Sequence, residues 1–221
     1  MKNLPTQVPT DIWVTASWEE YIEIVSNSLY EKGKCYYHDG QLRIEMAPVG
    51  YDHSSDNTVI TLTVSLFGIA KNIPLTGLIN CSYRQQGKRE CQPDLSYYLG
   101  ESAQVIPYGT KIVSLNQYPP PDLAIEVGDS SLEDDLNRKK QLLNRKKQLY
   151  QELQVSEYWV VDVEKAKLLA FSVSQEDTPE ITQSRILPEL ETSLLEEALR
   201  RSRTSNQTEV GTWLMQQFQG K

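Results

Sequence analysis

Between residues 40 and 47 apolar and polar side chains alternate, with Leu42, Ile44 and Met46 set against Gln41, Arg43 and Glu45. That period of two predicts a strand with one buried face, and Pro48-Val49-Gly50 ends it. From Ser54 or Ser55 to about Lys71 the spacing of Val59, Leu62, Thr63, Leu66, Ile69 and Ala70 predicts a helix, against the weak propensity of its β-branched residues. Upstream, Ser17-Trp18-Glu19-Glu20 has the form of a capping box, opening a helix to about Asn27 with Tyr21, Ile24 and Val25 on one face. Residues 78–84 and 91–99 read as two strands around a Gly87-Lys88 hairpin turn. Residues 100–120 are rich in turn formers, and Pro119-Pro120-Pro121 leads stiffly into an apolar run. A long helix is predicted over about 132–153, a second hairpin over 157–162 and 167–172, and helices over 188–218 with a break near 202–206. The order α-β-α-β-β-β-α-β-β describes a mixed sheet with helices packed on it, an α/β (α+β) fold. No linker divides the chain, so one domain is expected over 1–221, with a core at about 40–175 and a helical extension at 188–218. Leu187, Leu190, Leu194, Leu195, Leu199, Trp213, Leu214 and Phe218 of that extension are expected to cover the sheet or a dimer partner.

Composition narrows the class. The 221 residues are 39% hydrophobic and 24% charged, which suits an ordinary globular core. No stretch has the apolar length to span a bilayer, and the first residues lack a charged-then-apolar leader pattern, so a cytoplasmic protein without membrane association is expected. Cys35, Cys81 and Cys91 form no Cys-x-x-Cys pair and are expected as reduced thiols, with Cys81 and Cys91 close in space. With only His38 and His53, a structural zinc site is not expected. The net charge of −8 argues against extensive phosphate contact. The cations are nevertheless clustered, at Arg84, Lys88 and Arg89 and along residues 138–147.

That second cluster is a near-perfect duplicated heptad, Asn137-Arg138-Lys139-Lys140-Gln141-Leu142-Leu143 followed by Asn144-Arg145-Lys146-Lys147-Gln148-Leu149-Tyr150. Seven residues turn a helix by two turns less about 20° and advance it roughly 10 Å. Lys139 and Lys146 therefore point alike but cannot occupy one site. Leu142, Leu149 and Leu153 are expected to hold the buried stripe.

Two acids stand out. Pro121-Asp122-Leu123-Ala124-Ile125-Glu126-Val127 carries Glu126 inside an apolar strand with no alternation to turn it outward, and Gln92-Pro93-Asp94-Leu95 opens a second strand. An uncompensated charge there costs several kcal/mol to desolvate. Carboxylates on adjacent strands followed by a lysine-rich helix suit a divalent metal and phosphodiester chemistry. Asp122 reads more simply as a strand-entry residue. An exposed strand-start acid is the plain alternative for Asp94, and a solvated helix face for the lysines.

Together with Met46-Ala47-Pro48-Val49-Gly50-Tyr51-Asp52-His53, Asp134-Asp135-Leu136-Asn137-Arg138-Lys139 and Tyr158-Trp159-Val160-Val161-Asp162, these segments resemble the Uma family, putative restriction-endonuclease-like proteins of the PD-(D/E)XK nuclease superfamily. The resemblance spans about residues 40–171. It implies an α-β-β-β-α-β core, with added N-terminal and C-terminal helices here, and a metal-dependent endonuclease acting on DNA. Asp94 and Glu126 would hold Mg²⁺ or Mn²⁺. Position 128, where the simplest superfamily pattern has lysine, is Gly128. A lysine of the following helix is then the expected substitute: Lys139 by spacing from Glu126, Lys146 by spacing back from Tyr150. Lys139 is preferred, orienting the attacking water or stabilising charge on phosphorus. Glu45 and His53 are second-tier candidates, and a homodimer is expected because duplex cleavage involves two strands. The alternative is a catalytically inactive binding module for nucleic acid or protein on the same scaffold. A glycosidase using the same acids would need an open aromatic cleft, whereas Tyr97, Tyr98 and Trp159 sit where core packing explains them.

Overall fold

The computed structural model describes residues 7–46, 48–128, 136–173 and 178–219, with 136–140 as backbone only. The described residues form five α-helices and two six-stranded sheets. The first sheet has the order β1-β3-β2-β6-β5-β8, from β1 (Val14–Thr15), β2 (Lys34–His38), β3 (Gln41–Glu45), β5 (Tyr83–Gln85), β6 (Arg89–Cys91) and β8 (Val113–Ser114). The second runs β12-β11-β10-β9-β7-β4, from β4 (Leu75–Ile79), β7 (Leu95–Leu99), β9 (Leu123–Gly128), β10 (Glu157–Asp162), β11 (Lys167–Ser172) and β12 (Glu180–Ile181).

Helix α1 (Trp18–Val25) begins on the predicted capping box: Ser17 Oγ accepts the Glu20 N–H, and Glu20 accepts the Ser17 N–H. Helix α2 (Tyr51–Ala70) starts three to four residues earlier than its periodicity indicates, with Gly50 as an N-cap that offers no side chain. Its β-branched residues are tolerated because it is buried on two sides, between the second sheet and helices α4 (Thr192–Ser202) and α5 (Gln207–Gln219). Thr58, Thr61 and Thr63 turn their hydroxyls onto carbonyls one turn back, which for the buried Thr63 satisfies a polar group that would otherwise face the core unpaired. The expected cover of the sheet by the C-terminal helices is met within the chain, where Leu187, Leu190, Leu195, Leu199, Leu214 and Phe218 join one core with α2 and the second sheet.

The order α2-β4-β7-β9-helix-β10 is the α-β-β-β-α-β core, the helix being α3 (Leu136–Glu152). β9 and β10 run parallel, with Leu123 opposite Glu157 and Val127 opposite Val161, and α3 is the crossover between them.

One expectation fails in an instructive way. Residues 78–84 and 91–99 are not one hairpin but two pairings in two sheets. β4 pairs with β7 in the second sheet, while β5 and β6 close a shorter hairpin over Gly87 (φ +75°) in the first. The chain changes sheet at Asn80, which adopts φ +52°, and at Gln92-Pro93, where proline has no N–H to give a ladder. The Asn80 N–H, donating to the Asp94 carbonyl at 3.0 Å, ties the two crossing points together. A second difference is β2, which the pattern of Lys34-Cys35-Tyr36-Tyr37-His38 does not disclose. Its turn into β3 is Asp39 (φ +50°) and Gly40 (φ +67°), a pair suited to the twist of a two-residue hairpin. The cysteines are free, with Cys91 buried and Cys81 half-buried at the sheet-switch point.

Candidate functional site

β9 is covered on both faces. Leu123, Ile125 and Val127 enter the core shared with α2, α4 and α5, while Ala124 faces the opposite way into a second core with Tyr150, Tyr158 and Tyr36. Glu126 shares the face of Ala124, so its apolar neighbours reflect double burial, not misplacement. Across the antiparallel pairing of β7 and β9, Leu95 lies opposite Ile125 and Ser96 opposite Ala124. One further step in that register sets Asp94 opposite Glu126, on the same face. The Val127 N–H donates to Asp94 Oδ2 at 2.9 Å. Asp94 and Glu126 are 2% and 6% exposed, so both acids are out of bulk water.

The first sheet supplies the facing wall. Lys34 and Tyr36 of β2 alternate with Cys35 and Tyr37, and Lys34 pairs across to Glu45 while Tyr36 pairs to Arg43. Leu42, Ile44 and Tyr37 pack with α1. The polar positions of β3 consequently face the second sheet rather than open solvent. Lys34 Nζ pairs with Asp94 Oδ1, and His53 Nε2 lies 3.0 Å from the same oxygen. Lys146 Nζ sits between two acids, 3.1 Å from Glu126 Oε2 and 3.1 Å from Glu45 Oε1, and 4.1 Å from the centre of the Tyr36 ring. Arg43 Nε donates to Glu45 Oε1 at 2.7 Å. The Tyr150 hydroxyl donates to Glu126 Oε1 at 2.6 Å. The Tyr36 hydroxyl lies 2.9 Å from the Gln92 carbonyl and 3.1 and 3.2 Å from the two Glu126 oxygens, one proton among three acceptors.

These placements shift the acids in opposite directions. Burial pushes Glu126 above the usual glutamate range; Lys146 pulls it back, and the charges of Asp94 and Glu45 add to the rise. Burial acts in the same sense on Asp94, but the His53 hydrogen bond and the Lys34 charge outweigh it and hold that carboxyl at about 2. Burial of Glu45 is likewise overcome, by Lys146 first and Arg43 second, and its carboxyl lies below the ordinary range. Lys146 is raised, because Glu126 and Glu45 more than offset its burial. Burial, reinforced by Glu126, keeps Tyr36 and Tyr150 as protonated donors.

The structure therefore brings together Asp94, Glu126, Glu45, His53 and Lys146, along with Lys34, Tyr36 and Tyr150, which the sequence did not single out. The Asp39-Gly40 pair after Lys34-Cys35-Tyr36-Tyr37-His38 is the signal that could have revealed β2 and its two site residues. Lys139 lies on the backbone of α3, one heptad and roughly 10 Å before Lys146, and its side chain is outside the described residues. The buried positions Lys146, Leu149, Tyr150 and Leu153 follow helical spacing, whereas Leu142 is half-buried. Asp122 has a strand-entry role: its Oδ2 accepts the Leu99 N–H at 2.7 Å, and its carbonyl accepts the N–H groups of Ser156 and Glu157.

The donor set fits a hard divalent cation. It is all oxygen, from the carboxylates of Asp94, Glu126 and Glu45, which resident cations and the Tyr150 hydroxyl now satisfy. A separate group, His38, Asp39 and Glu152, is the one among the described residues whose ligand atoms all lie within 4.8 Å of one another. There Arg89 already pairs with Glu152 through Nε at 2.9 Å and through Nη2.

No described helix is long and apolar enough to cross a membrane. No curated protein matched the chain. Among solved structures, it is similar to the crystal structure of a putative nuclease belonging to DUF820 from Anabaena variabilis ATCC 29413, at 14% identity and a TM-score of 0.47, over 72% of this chain and 81% of that one. The family model Uma2, described as a putative restriction endonuclease, matches residues 18–207. The chain belongs to the Uma2 family of putative restriction endonucleases.

Proposed function

We propose that the protein is a metal-dependent nuclease that hydrolyses phosphodiester bonds of DNA, with Asp94 and Glu126 as the metal-holding pair and Lys146 as the lysine of the site. The observation that carries this reading is the meeting of the two acids, Asp94 just before β7 bonded to the β9 Val127 N–H and Glu126 beside it on β9, with Lys146 Nζ 3.1 Å from Glu126. Mg²⁺ or Mn²⁺, when bound, supplies Lewis-acid activation of phosphate and water. Asp94 is kept ionised for that role by His53 and Lys34. Glu126 is aimed by the Tyr36 and Tyr150 hydroxyls. Glu45 is a third oxygen donor at the edge of the site, and its contact with Lys146 fixes where the ammonium sits. From there Lys146 can orient the attacking water or stabilise charge developing on the phosphate. Cutting both strands of a duplex calls for two copies, so the working form is a homodimer, which sedimentation of the free protein reads directly.

Supercoiled plasmid and single-stranded DNA, incubated with Mg²⁺ or Mn²⁺, test the proposal. Cutting should require the metal and fall by at least a thousandfold, about 4 kcal/mol of barrier, in Glu126→Gln, whose fold should persist. Metal-independent cutting, or full activity in Glu126→Gln, would reject the assignment. A second reading, a non-catalytic binding module, has its own support: every Glu126 oxygen already has a protein partner, and the chain carries a net charge of −8. Retained DNA binding by a folded, metal-loaded protein that cuts neither substrate would favour it.

A further inference from the structure

We propose that Lys34 is a displaceable counter-ion: it holds Asp94 in the free protein, leaves it when a divalent cation binds, and then contacts the substrate phosphate. This rests on the metal-dependent reading above and adds a residue to it. The carboxylates of Asp94, Glu126 and Glu45 face Lys34, Lys146 and Arg43, three negative charges against three positive ones, with His53 beside them. The buried charge is thus balanced with no ion added. Bringing in a doubly charged cation would leave two uncompensated positive charges in a low-dielectric site; withdrawal of one resident cation halves that excess, and is favoured for it.

Lys34 is the one built to move. Arg43 is pinned by Glu45 and by the Asp11 carbonyl. Lys146 is shared by two acids, lies against the Tyr36 ring and has a side chain only 8% exposed. Among the described residues Lys34 has one carboxylate in ion-pair contact, and it has about twice that side-chain exposure, at 17%, and a flexible four-carbon stem. Asp94 keeps its place without it, because the His53 Nε2 contact at 3.0 Å and the Val127 N–H at 2.9 Å remain. An ammonium released from Asp94 has its nearest new demand in the phosphate charge brought by the substrate.

Mn²⁺ binding to the full chain, followed by electron paramagnetic resonance without nucleic acid, reads the first half of the proposal. Lys34→Met removes the competitor and should tighten Mn²⁺ roughly tenfold or more, the equivalent of one charge-assisted hydrogen bond, whereas Lys34→Arg should not. A merely structural lysine would give unchanged or weaker Mn²⁺ binding in Lys34→Met, and that result overturns the proposal. If Lys34→Met does not fold, Lys34→Gln keeps a donor for Asp94 while removing the charge, and the same gain is expected. For the second half, Lys34→Met at saturating Mn²⁺ should cut DNA at least tenfold more slowly than the native chain, a loss opposite in sense to its gain in affinity; undiminished cutting overturns the phosphate contact. A native chain that cuts no substrate would count against the nuclease reading alone, since the change in Mn²⁺ affinity is measured without it.

Discussion

Asp94 shows how the surroundings of a single residue decide between two readings of its sequence. From sequence it is a candidate metal-holding acid whose plain alternative is an exposed strand-start residue; in the fold it is buried, with Lys34, His53 and the Val127 N–H around it. A carboxyl held at about 2 in the folded state, against about 3.9 unfolded, contributes stability above pH 4 and loses it as the pH falls toward 2. The contribution is on the order of 2 kcal/mol at neutral pH. Urea unfolding with chelator present should therefore show Asp94→Asn less stable than the native chain at pH 7, with the gap closing between pH 4 and pH 2. A gap that stays constant through that window would mean that Asp94 is not the acid stabilised by folding. Glu126 is shifted the other way, and its burial among phenols is what an apolar run with one glutamate conceals.

Among the elements, β3 and α3 are the ones whose pattern says most and misleads most. The alternation of residues 41–45 identifies a strand correctly, but its polar face is covered by a second sheet, so Glu45, a second-tier candidate by sequence, lies against Lys146 rather than in open solvent. In α3 the two heptad copies are equivalent in sequence, and among the described side chains it is Lys146 of the second copy that meets the acids. The helix turns Lys146, Leu149, Tyr150 and Leu153 inward as one stripe that places an ammonium and a phenol together on Glu126. If α3 works through that stripe, Lys146→Met should reduce plasmid cutting at least a hundredfold, about 2.7 kcal/mol, while Lys139→Met leaves it within a factor of about three, or 0.7 kcal/mol. The reverse ranking would return the role to Lys139, the choice that spacing from Glu126 favours.

At the scale of the whole molecule the two sheets share a core. Tyr36, Tyr83, Cys91 and Val113 of the first sheet pack with Tyr98, Ala124 and Tyr158 of the second and with Leu149 and Tyr150 of α3. We propose that this shared core makes the chain one cooperative unit, as the lack of a linker suggests. Trp18 packs with the α1 core, and Trp159 lies in the core of α2 and the second sheet. Variants retaining only one of these tryptophans should show coincident unfolding midpoints in urea; midpoints separated beyond error would divide the chain into two units.

Sequence by itself determined the local features: the Ser17 capping box, the helical and extended periods, the α-β-β-β-α-β order and the oddity of Glu126 in an apolar run. These are legible because each depends on neighbours within a turn or two of chain. Tertiary structure decided what each face meets. Whether a strand's polar face sees water or a second sheet is set by packing between residues such as Tyr36 and Glu126, ninety positions apart. For the same reason the roles of Lys34, Tyr36 and Tyr150 are not legible locally: the Asp39-Gly40 turn can mark the strand, but nothing nearby marks a lysine or a phenol as the partner of an acid. The duplicated heptad is the limiting case, because two lysines with identical surroundings in sequence differ only in how far along the helix the acids lie.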